Sequence, residues 1–421
     1  MEKKSADFIL RNAANIVVYP FPYRGKGTVP SWQIEEIPNA SLAAKDGIIT
    51  WIGSTAELEK NVKIQPDAEI YDAEGLIALP AFVDSHTHLV YGGNRADEFE
   101  MRVSGASYLD IHAKGGGILN STRAVQNMTI EELFNGAAER IERLMLSGVT
   151  TVEIKSGYGL DLKNEIKMLE TIQMLQEAFD IRIVPTFMGA HAIPADRAGD
   201  PEKFIDEFCN EWIPAVAEKK LAVFNDVFTE KSVFSVEQSR KILEAGLKYG
   251  LKPKIHADEV NVIGAVDLAV EVEAVSADHL LKTEEAGIEK MKGSGVIPTL
   301  LPGTSTFLME KRHANARKMI EAGLPVAIAS DHNPGSCQFL EANLIQSFAM
   351  LQLKMTAAEA LIAGTLHAAY AVGLGDKTGS LEVGKAADIA LYNLSSYKEI
   401  AYKAGCNCLY DLFCDGVALG I

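Results

Sequence analysis

His86 and His88 stand one residue apart, shortly after the apolar run at residues 76–79. In an extended strand successive side chains point to opposite faces, so the two imidazoles would point the same way. Two imidazoles that converge at the end of a buried strand are natural metal ligands. Two surface histidines can fall at this spacing by chance, but a solvated pair does not need an apolar strand before it. The pattern therefore indicates a metal site.

Other histidines and carboxylates follow apolar segments farther along the chain. His256 and Glu259 follow one segment, His279 ends the next of them, and Asp331 ends the last. Alone, each has an ordinary explanation as a core histidine, a helix N-cap or a solvated loop residue. With the first pair, however, four strand ends carry such side chains. We expect these strand ends to meet on one rim and to form one site.

The elements that carry these residues alternate regularly between strand and helix. Eight strand-like segments are predicted, at residues 79–88, 149–155, 181–190, 222–228, 252–257, 274–280, 296–301 and 326–330. Helical patterns lie between them, for example at residues 130–146, 163–179, 236–249 and 313–322. Eight strands, each followed by a helix, predict an α/β fold of the (β/α)8 TIM barrel type. The alternative is an open doubly wound sheet, but no Gly-rich phosphate loop follows His88.

The two ends of the chain do not continue this alternation. Residues 1–78 and 375–421 contain short β-type segments separated by turn signals, such as the Lys45-Asp46-Gly47 step. Each end is too short to bury a core alone. We therefore predict that both ends combine into one small β-sandwich domain beside a barrel formed by residues 79–374.

The amino-acid composition limits the kinds of binding partner that the protein can have. The chain has 421 residues, with 40 basic and 57 acidic side chains and a net charge of −17, which disfavours nucleic acid and anionic membranes. A small anionic substrate would need a local positive group. No apolar run approaches the ~20 residues that a membrane span needs. Five cysteines are too few and odd in number for a disulfide framework, so we predict a cytoplasmic location.

The ligand pattern resembles the amidohydrolase superfamily. A His-x-His motif on strand one, single histidines on strands five and six and an aspartate on strand eight are typical of it, and the C-terminal Gly379–Asp388 block matches as well. Many members carry a carboxylated lysine on strand four that bridges two metals, and the fourth predicted strand here has no lysine. The resemblance therefore implies one metal ion, Zn²⁺ or Fe³⁺, with the ligands His86, His88, His256 and Asp331.

The same resemblance implies a division of catalytic roles. Asp331 would accept a proton from a water molecule that the metal activates. Glu259, three residues after a ligand, would act as general base or carry the proton to the leaving nitrogen. His279 would stabilise the developing oxyanion rather than bind the metal. The expected reaction is hydrolysis of a C–N bond in a cyclic amide or amidine.

Several loop motifs resemble one branch of the superfamily. They are Gly115-Gly116-Gly117-Ile118, Lys155-Ser156-Gly157-Tyr158-Gly159, His256-Ala257-Asp258-Glu259 and Asp331-His332-Asn333-Pro334-Gly335. This resemblance implies that 4-imidazolone-5-propanoate and water give N-formimidoyl-L-glutamate. The substrate is a small lactam-like ring with a propanoate tail.

The same loops contain candidate groups for binding such a substrate. Arg95 can pair with the propanoate through two parallel hydrogen bonds, although a salt bridge to Asp97 or Glu98 is its simpler explanation. The other candidate substrate contacts are Tyr158, His191, Glu259, Asn333, Gly335 and Ser336. Two alternatives remain open: a mononuclear purine or pyrimidine deaminase of the same superfamily, and a non-catalytic interaction protein on this fold. We expect the chain to form a homodimer.

Overall fold

The structure is a computed structural model that describes residues 3–105, 116–194 and 196–421. Its strands form two eight-stranded sheets, one parallel and one mixed. The strands are numbered β1 to β16 in chain order. Gly115, the first residue of the glycine motif, lies outside the described residues, whereas Gly116 and Gly117 lie within them.

The parallel sheet is the barrel. Its strands lie side by side in chain order, and every neighbouring pair is parallel. They are β6 (Phe82–Asp84), β7 (Val149–Lys155), β8 (Arg182–Ala190), β9 (Phe224–Phe228), β10 (Lys252–Ala257), β11 (Ser276–His279), β12 (Ile297–Leu300) and β13 (Ala327–Ile328). The first and last strands meet just beyond their ends through a parallel bridge between Thr87 and His332. The predicted (β/α)8 barrel is confirmed.

The first predicted strand, 79–88, is wrong in its limits. Ile77–Pro80 belongs to the mixed sheet, and only Phe82–Asp84 pairs within the barrel. The chain changes partner at Ala81, whose N–H donates to the Asp388 carbonyl, while the next N–H donates to Gly148. His86 and His88 therefore lie after the strand. Backbone hydrogen bonds to Asp331 and His332, which follow the last barrel strand, hold this segment in place.

Helices lie between the barrel strands. Within the described residues the α-helices that flank the barrel are Ala96–Val103, Ile118–Asn127, Ile130–Met145, Leu162–Ala178, Pro201–Glu207, Ile213–Glu218, Val236–Lys248, Ala265–Glu271, Glu285–Met291, Pro302–Phe307, Ala316–Glu321, Ala342–Leu353, Ala357–Ile362 and Ala368–Ala371. Two π-helical turns, Phe208–Trp212 and Ala363–His367, connect helices in this set. Capping boxes begin three of the helices, where Thr129, Ser235 and Thr356 accept from the backbone three residues later.

The mixed sheet joins the two ends of the chain. Its strands are β1 (Lys4–Val18), β2 (Glu35–Lys45), β3 (Ile48–Ser54), β4 (Val62–Asp72), β5 (Ile77–Pro80), β14 (Ile389–Tyr392), β15 (Leu409–Cys414) and β16 (Val417–Ala418). The N- and C-terminal parts meet where β5 pairs antiparallel with β14. The short remaining helices, Thr55–Glu57, Leu58–Asn61 and Glu399–Tyr402, flank this sheet or follow β14. The terminal β unit is thus a separate sheet beside the barrel, and the domain limits at residues 78 and 375 stay predictions.

The apolar core follows the same division. The largest buried cluster spans the barrel strands and the helices that pack on them, and a second cluster lies on the mixed sheet. No helix among the described residues is long and apolar enough to cross a membrane.

Candidate active site

The segments after β6 and β13 bring together three of the four predicted metal ligands, His86, His88 and Asp331. The Asp331 N–H donates to the His86 carbonyl, and the His88 N–H donates to the His332 carbonyl, each at 2.9 Å. Their side chains then converge: Asp331 Oδ1 lies 3.5 Å from His86 Nε2 and 3.8 Å from His88 Nε2. His86, His88 and Asp331 each offer one ligand atom within a 4.8 Å cluster.

His256 and His279 extend this cluster from β10 and β11. The His256 ring centroid is 4.7 Å from that of His86 and 4.9 Å from that of His279. His86, His256 and His279 also form a group whose ligand atoms lie within 4.8 Å of one another. His86 is therefore common to two possible ligand triads, and His279 lies as close to it as a ligand would.

The buried imidazole atoms fit a metal ion. The Nε2 atom of His86, which faces Asp331, is buried and has no hydrogen-bond partner in the described part of the chain. Such atoms are costly unless something binds them. Burial also lowers the pKa of His86, His88 and His279 well below the usual value. Neutral imidazoles with an open lone pair are the form that binds a metal.

His256 differs from the other histidines of the cluster. Burial lowers its pKa, but the Asp226 carboxylate, whose Oδ1 lies 3.2 Å from His256 Nδ1, outweighs burial and raises it. His86 has a similar partner, because its Nδ1 lies 2.7 Å from Asp278 Oδ2. In both rings the Nδ1 atom is engaged with a carboxylate, and Nε2 is left for the centre of the site.

Asp331 is held in a constrained backbone conformation. Its φ is 52°, in the left-handed region that non-glycine residues rarely adopt. The Thr304 hydroxyl donates to Oδ2 at 2.6 Å, and the Asn333 amide donates to Oδ1 at 3.2 Å. Burial is the main cause that raises the pKa of Asp331 to about 6. One carboxylate oxygen thus faces the histidines while the other is fixed by Thr304.

Glu259 lies beside His279, on the loop after β10. Its Oε2 atom lies 3.6 Å from His279 Nε2, and burial, with the nearby Asp331 charge, raises its pKa to about 7. A carboxyl group with this pKa can both accept and release a proton near neutral pH. The next two backbone N–H groups, of Val260 and Asn261, donate to the buried Glu230 at 3.1 and 3.0 Å. Glu230 thereby holds the loop that presents Glu259.

Tyr158 and His191 form one wall of the site, next to His88. The His191 ring stacks on His88 at 5.2 Å with an interplanar angle of 21°, and Tyr158 lies 5.3 Å from His191. The His191 Nδ1 atom is 3.1 Å from the Gly157 carbonyl, so this ring nitrogen carries the hydrogen and Nε2 can accept. Burial lowers the pKa of His191 to about 3 and raises that of Tyr158.

A buried carboxylate shapes the loop that carries Tyr158. Glu165 accepts from the N–H groups of Gly157, Gly159 and Leu160 at 2.9, 2.7 and 3.0 Å. A side chain at Gly159 would overlap the start of the following helix, with its Cβ 2.5 Å from the Glu165 nitrogen. The Lys-Ser-Gly-Tyr-Gly motif therefore has a conformational reason: the loop folds around an internal anion.

Arg95 has the salt bridge that sequence analysis named as the simpler explanation. Its Nε and Nη2 atoms lie 2.8 and 2.7 Å from Glu98 Oε2, and both side chains are largely buried. Glu98 also accepts from the Gly117 N–H at 3.1 Å. The Nη1 side of the guanidinium faces Gly335, where any Cβ would overlap it. Glu98 thus orients one edge of Arg95, and the other edge lies beside the loop after β13.

Asn333 and Ser336 are used within their own loop. The Asn333 amide oxygen accepts from the N–H groups of Gly335 and Ser336 at 2.9 and 2.7 Å, and its nitrogen donates to the Ser336 hydroxyl at 2.8 Å. These bonds set the backbone of Gly335 against Arg95. Asn333 was predicted to contact the substrate, and its side chain stabilises its own loop.

A group of buried charges that was not predicted from the sequence lies inside the barrel, next to the histidines. Its members are fully buried: Glu153, Lys155, Asp226, Lys254 and Asp278. Charged side chains are almost never fully buried unless they are paired, so this group needs an explanation. A signal was present, because Glu153 with Lys155 and Lys254 with His256 are spaced two apart on predicted strands and so share the interior face.

Comparison with known proteins agrees with this architecture. A sequence model of the Amidohydrolase family matches residues 77–419. Among solved structures, an adenosine deaminase from Xanthomonas campestris with bound zinc superimposes with a TM-score of 0.72 at 18% identity, covering 99% of this chain and 93% of that one. A 5-methylcytosine deaminase from Klebsiella pneumoniae gives 0.71 at 18% identity, covering 98% and 97%. These structural likenesses show the fold.

Curated relatives are much closer in sequence. An imidazolonepropionase from Brevibacillus brevis is 47% identical over 376 residues, which is 89% of this chain and 88% of the relative. One from Geobacillus sp. is 46% identical over 404 residues, 94% of each chain, and one from Clostridium tetani is 43% identical over 98% of each. The chain belongs to the amidohydrolase family and, within it, to the imidazolonepropionases. It is accordingly a hydrolase that acts on C–N bonds.

Proposed function

We propose that the protein opens the ring of 4-imidazolone-5-propanoate with water and releases N-formimidoyl-L-glutamate. The observation that carries this proposal is the buried cluster of His86, His88, His256 and Asp331 with Arg95 nearby. The cluster suits hydrolysis at a ring carbon, and the guanidinium suits a propanoate. The names of the relatives agree with this substrate.

We further propose one metal ion per chain, Zn²⁺ or Fe³⁺, held by His86, His88, His256 and Asp331. When bound, it supplies a Lewis acid that lowers the pKa of water and provides a nucleophile near neutral pH. Three nitrogens and one oxygen suit either ion, and one of the similar structures carries zinc. His279 completes the cluster without serving as a ligand in this proposal.

The side chains of the site then move protons and stabilise charge. Asp331 Oδ1, which Thr304 does not engage, accepts the proton of the attacking water. Glu259, with a pKa of about 7, takes that proton onward and gives it to the ring nitrogen that leaves. His279, 3.6 Å from Glu259, donates to the oxygen that gains negative charge on the tetrahedral carbon.

The opposite wall of the site would hold the substrate. Arg95 pairs with the propanoate through the edge that Glu98 does not use. Tyr158 and His191 bind the ring through the phenol hydroxyl and Nε2, with Gly335, Asn333 and Ser336 contributing the loop on the far side. Arg95 supplies a positive charge for this anion despite the chain's net charge of −17.

Turnover of imidazolonepropanoate by the purified protein tests this function directly. We expect ring opening without release of ammonia, because both ring nitrogens stay in N-formimidoyl-L-glutamate. Ammonia release from a purine or pyrimidine, with no turnover of the imidazolone, would support a deaminase instead. Metal analysis of the same preparation should give one ion per active chain, and two tightly bound ions per chain would contradict a mononuclear site.

Substitutions at Arg95 separate this substrate from a tailless ring. Arg95→Ala is expected to lower kcat/KM by a factor that corresponds to a loss of about 2–4 kcal/mol in transition-state stabilisation, because it removes a charge-assisted pair from a largely buried position. Arg95→Lys should also be impaired, since a point charge cannot replace the planar two-bond fork. Steady-state kinetics on imidazolonepropanoate and on an imidazolone without the tail measure the difference.

The tailless substrate is the control for Arg95. Its turnover should change much less, because it has no carboxylate to lose, and metal content should stay constant. Glu98→Gln offers a second control that keeps the arginine but removes its ionic partner. If Arg95→Ala lowers kcat/KM equally for both substrates, Arg95 stabilises the loop after β13 rather than binding the substrate.

Three further expectations stay proposals. The cytoplasmic location rests on the cysteine content, and all five cysteines are free in the structure. We also propose that the chain forms a homodimer. We propose a small anionic substrate as the protein's partner, and neither nucleic acid nor membrane, on the basis of the negative net charge.

A further inference from the structure

Two ammonium groups and three carboxylates are fully buried inside the barrel, directly below the histidine cluster. Glu153 and Lys155 come from β7, Asp226 from β9, Lys254 from β10 and Asp278 from β11. In a parallel barrel alternate residues of each strand face the interior, which explains why five strand residues meet there. Burial of so many charges is unfavourable unless each has a partner.

Lys155 lies at the centre of this group. Its Nζ atom is 2.8 Å from Asp226 Oδ2, 2.9 Å from Glu153 Oε1 and 3.6 Å from Asp278 Oδ2. Burial alone would lower the pKa of Lys155, but these three charges outweigh burial and raise it. The ammonium therefore stays charged and binds the carboxylates throughout the working pH range.

The two aspartates that Lys155 contacts are the ones that contact the histidines. Asp226 Oδ1 lies 3.2 Å from His256 Nδ1, and Asp278 Oδ2 lies 2.7 Å from His86 Nδ1. A carboxylate that accepts from Nδ1–H fixes the ring orientation and leaves Nε2 free as a ligand atom. The His86 Nε2 atom is indeed buried without a hydrogen-bond partner among the described residues.

We propose that Lys155 is a positioning residue for the metal site. Its ammonium hydrogen-bonds to Asp226 at 2.8 Å and forms a longer ion pair with Asp278 at 3.6 Å, and each aspartate contacts one histidine ring. Lys155 thereby sets the direction of two ligand nitrogens at once, although it touches neither histidine nor substrate. This inference rests on the proposed metal site.

Lys254 provides a matched control inside the same group. It is equally buried, but its Nζ atom lies 3.0 Å from Glu153 Oε1 and donates to the Ser85 carbonyl at 3.0 Å. It reaches Asp278 only at 3.9 Å, and no described contact joins it to Asp226. Removal of Lys254 therefore removes a buried charge without releasing the Asp226–His256 pair.

The first experiment measures Zn²⁺ affinity by competition with a chromophoric chelator, using protein freed of metal. Lys155→Met is expected to bind Zn²⁺ about 10–100-fold more weakly than the unmodified protein, and Lys254→Met is expected to lose less. Equal losses in both variants would overturn the proposal, since they would indicate only a general effect of buried charge. Unmodified protein that fails to bind Zn²⁺ would contradict the metal site itself, whereas normal affinity in Lys155→Met would contradict only the role of Lys155.

A double-mutant cycle tests whether Lys155 acts through Asp226. The variants Lys155→Met, Asp226→Asn and their combination are compared for Zn²⁺ affinity. If the lysine acts through the aspartate, the combined loss is clearly smaller than the product of the two single losses. A combined loss equal to that product would overturn the proposal. Circular dichroism and thermal unfolding of the metal-free variants verify that each is folded.

A spectroscopic measurement covers the case in which Lys155→Met does not fold. Asp226→Asn and Asp278→Asn keep the size of each side chain and weaken its bond to Lys155 and to the histidine. With Co²⁺ at saturation, both are expected to shift the visible absorption bands, because the ligand directions change. Bands identical to those of the unmodified protein in both variants would overturn the proposal.

Discussion

The His88→Ala variant is expected to lose bound metal and activity together while the protein keeps its fold. His88 is one of three side chains whose ligand atoms meet at the junction of the first and last barrel strands. Removal of its imidazole takes away one of four proposed ligands, and an incomplete set binds metal much more weakly. Stability should change little, because the apolar core of the barrel supplies it. Elemental analysis, kinetics and thermal unfolding measure the three quantities.

A matched control for this variant is His313→Ala. His313 lies outside both possible ligand groups among the described residues. We expect normal metal content and activity in this control. Full metal content with activity retained in His88→Ala would contradict the proposed ligand set, and the second triad of His86, His256 and His279 would become the better candidate.

Replacing Glu259 with glutamine is expected to lower kcat by about 100-fold or more, with metal content unchanged. Glutamine keeps the size and most of the hydrogen bonding of the side chain but cannot accept a proton. The pKa of about 7 and the 3.6 Å distance to His279 suit the proposed role of Glu259 in proton transfer. Because the lost interaction belongs to the transition state, the effect should fall on kcat more than on KM.

Glu310→Gln is the appropriate control, since Glu310 lines the same pocket as Glu259 and His279. Its carboxylate pairs with Lys282 at 3.6 Å instead of facing the histidines. We expect kcat to stay near normal in this control. Near-normal kcat in Glu259→Gln would assign proton transfer to Asp331 alone.

Much of the scaffold was predictable because it depends on local patterns. The strands Val149–Lys155 and Lys252–Ala257 were predicted with the limits that the structure has. Their alternation with amphipathic helices was sufficient to predict the barrel. Once strands are known, their carboxyl ends must lie on one rim, and so His256 and Asp331 could be assigned to one site.

The limits of the first strand depended on contacts that are distant in sequence. Residues 76–83 are apolar throughout, and nothing local marks the change of partner at Ala81. The change occurs because β14, near the C-terminal end of the chain, pairs with residues 77–80 and so draws them into the mixed sheet. The segment with His86 and His88 is instead positioned by hydrogen bonds to the last barrel strand.

The sequence by itself determined which side chains could bind a metal, because His-x-His and the strand-end residues are local motifs. Only the tertiary structure decided which groups orient them. Asp278 precedes His279 in the chain, yet it contacts His86, which is 192 residues away in sequence. Glu98, likewise, contacts both Arg95 and Gly117, and Gly117 is 19 residues away from it in sequence. Partners of this kind are set by which strands become neighbours in the closed barrel and by the register between them, and no local pattern encodes either.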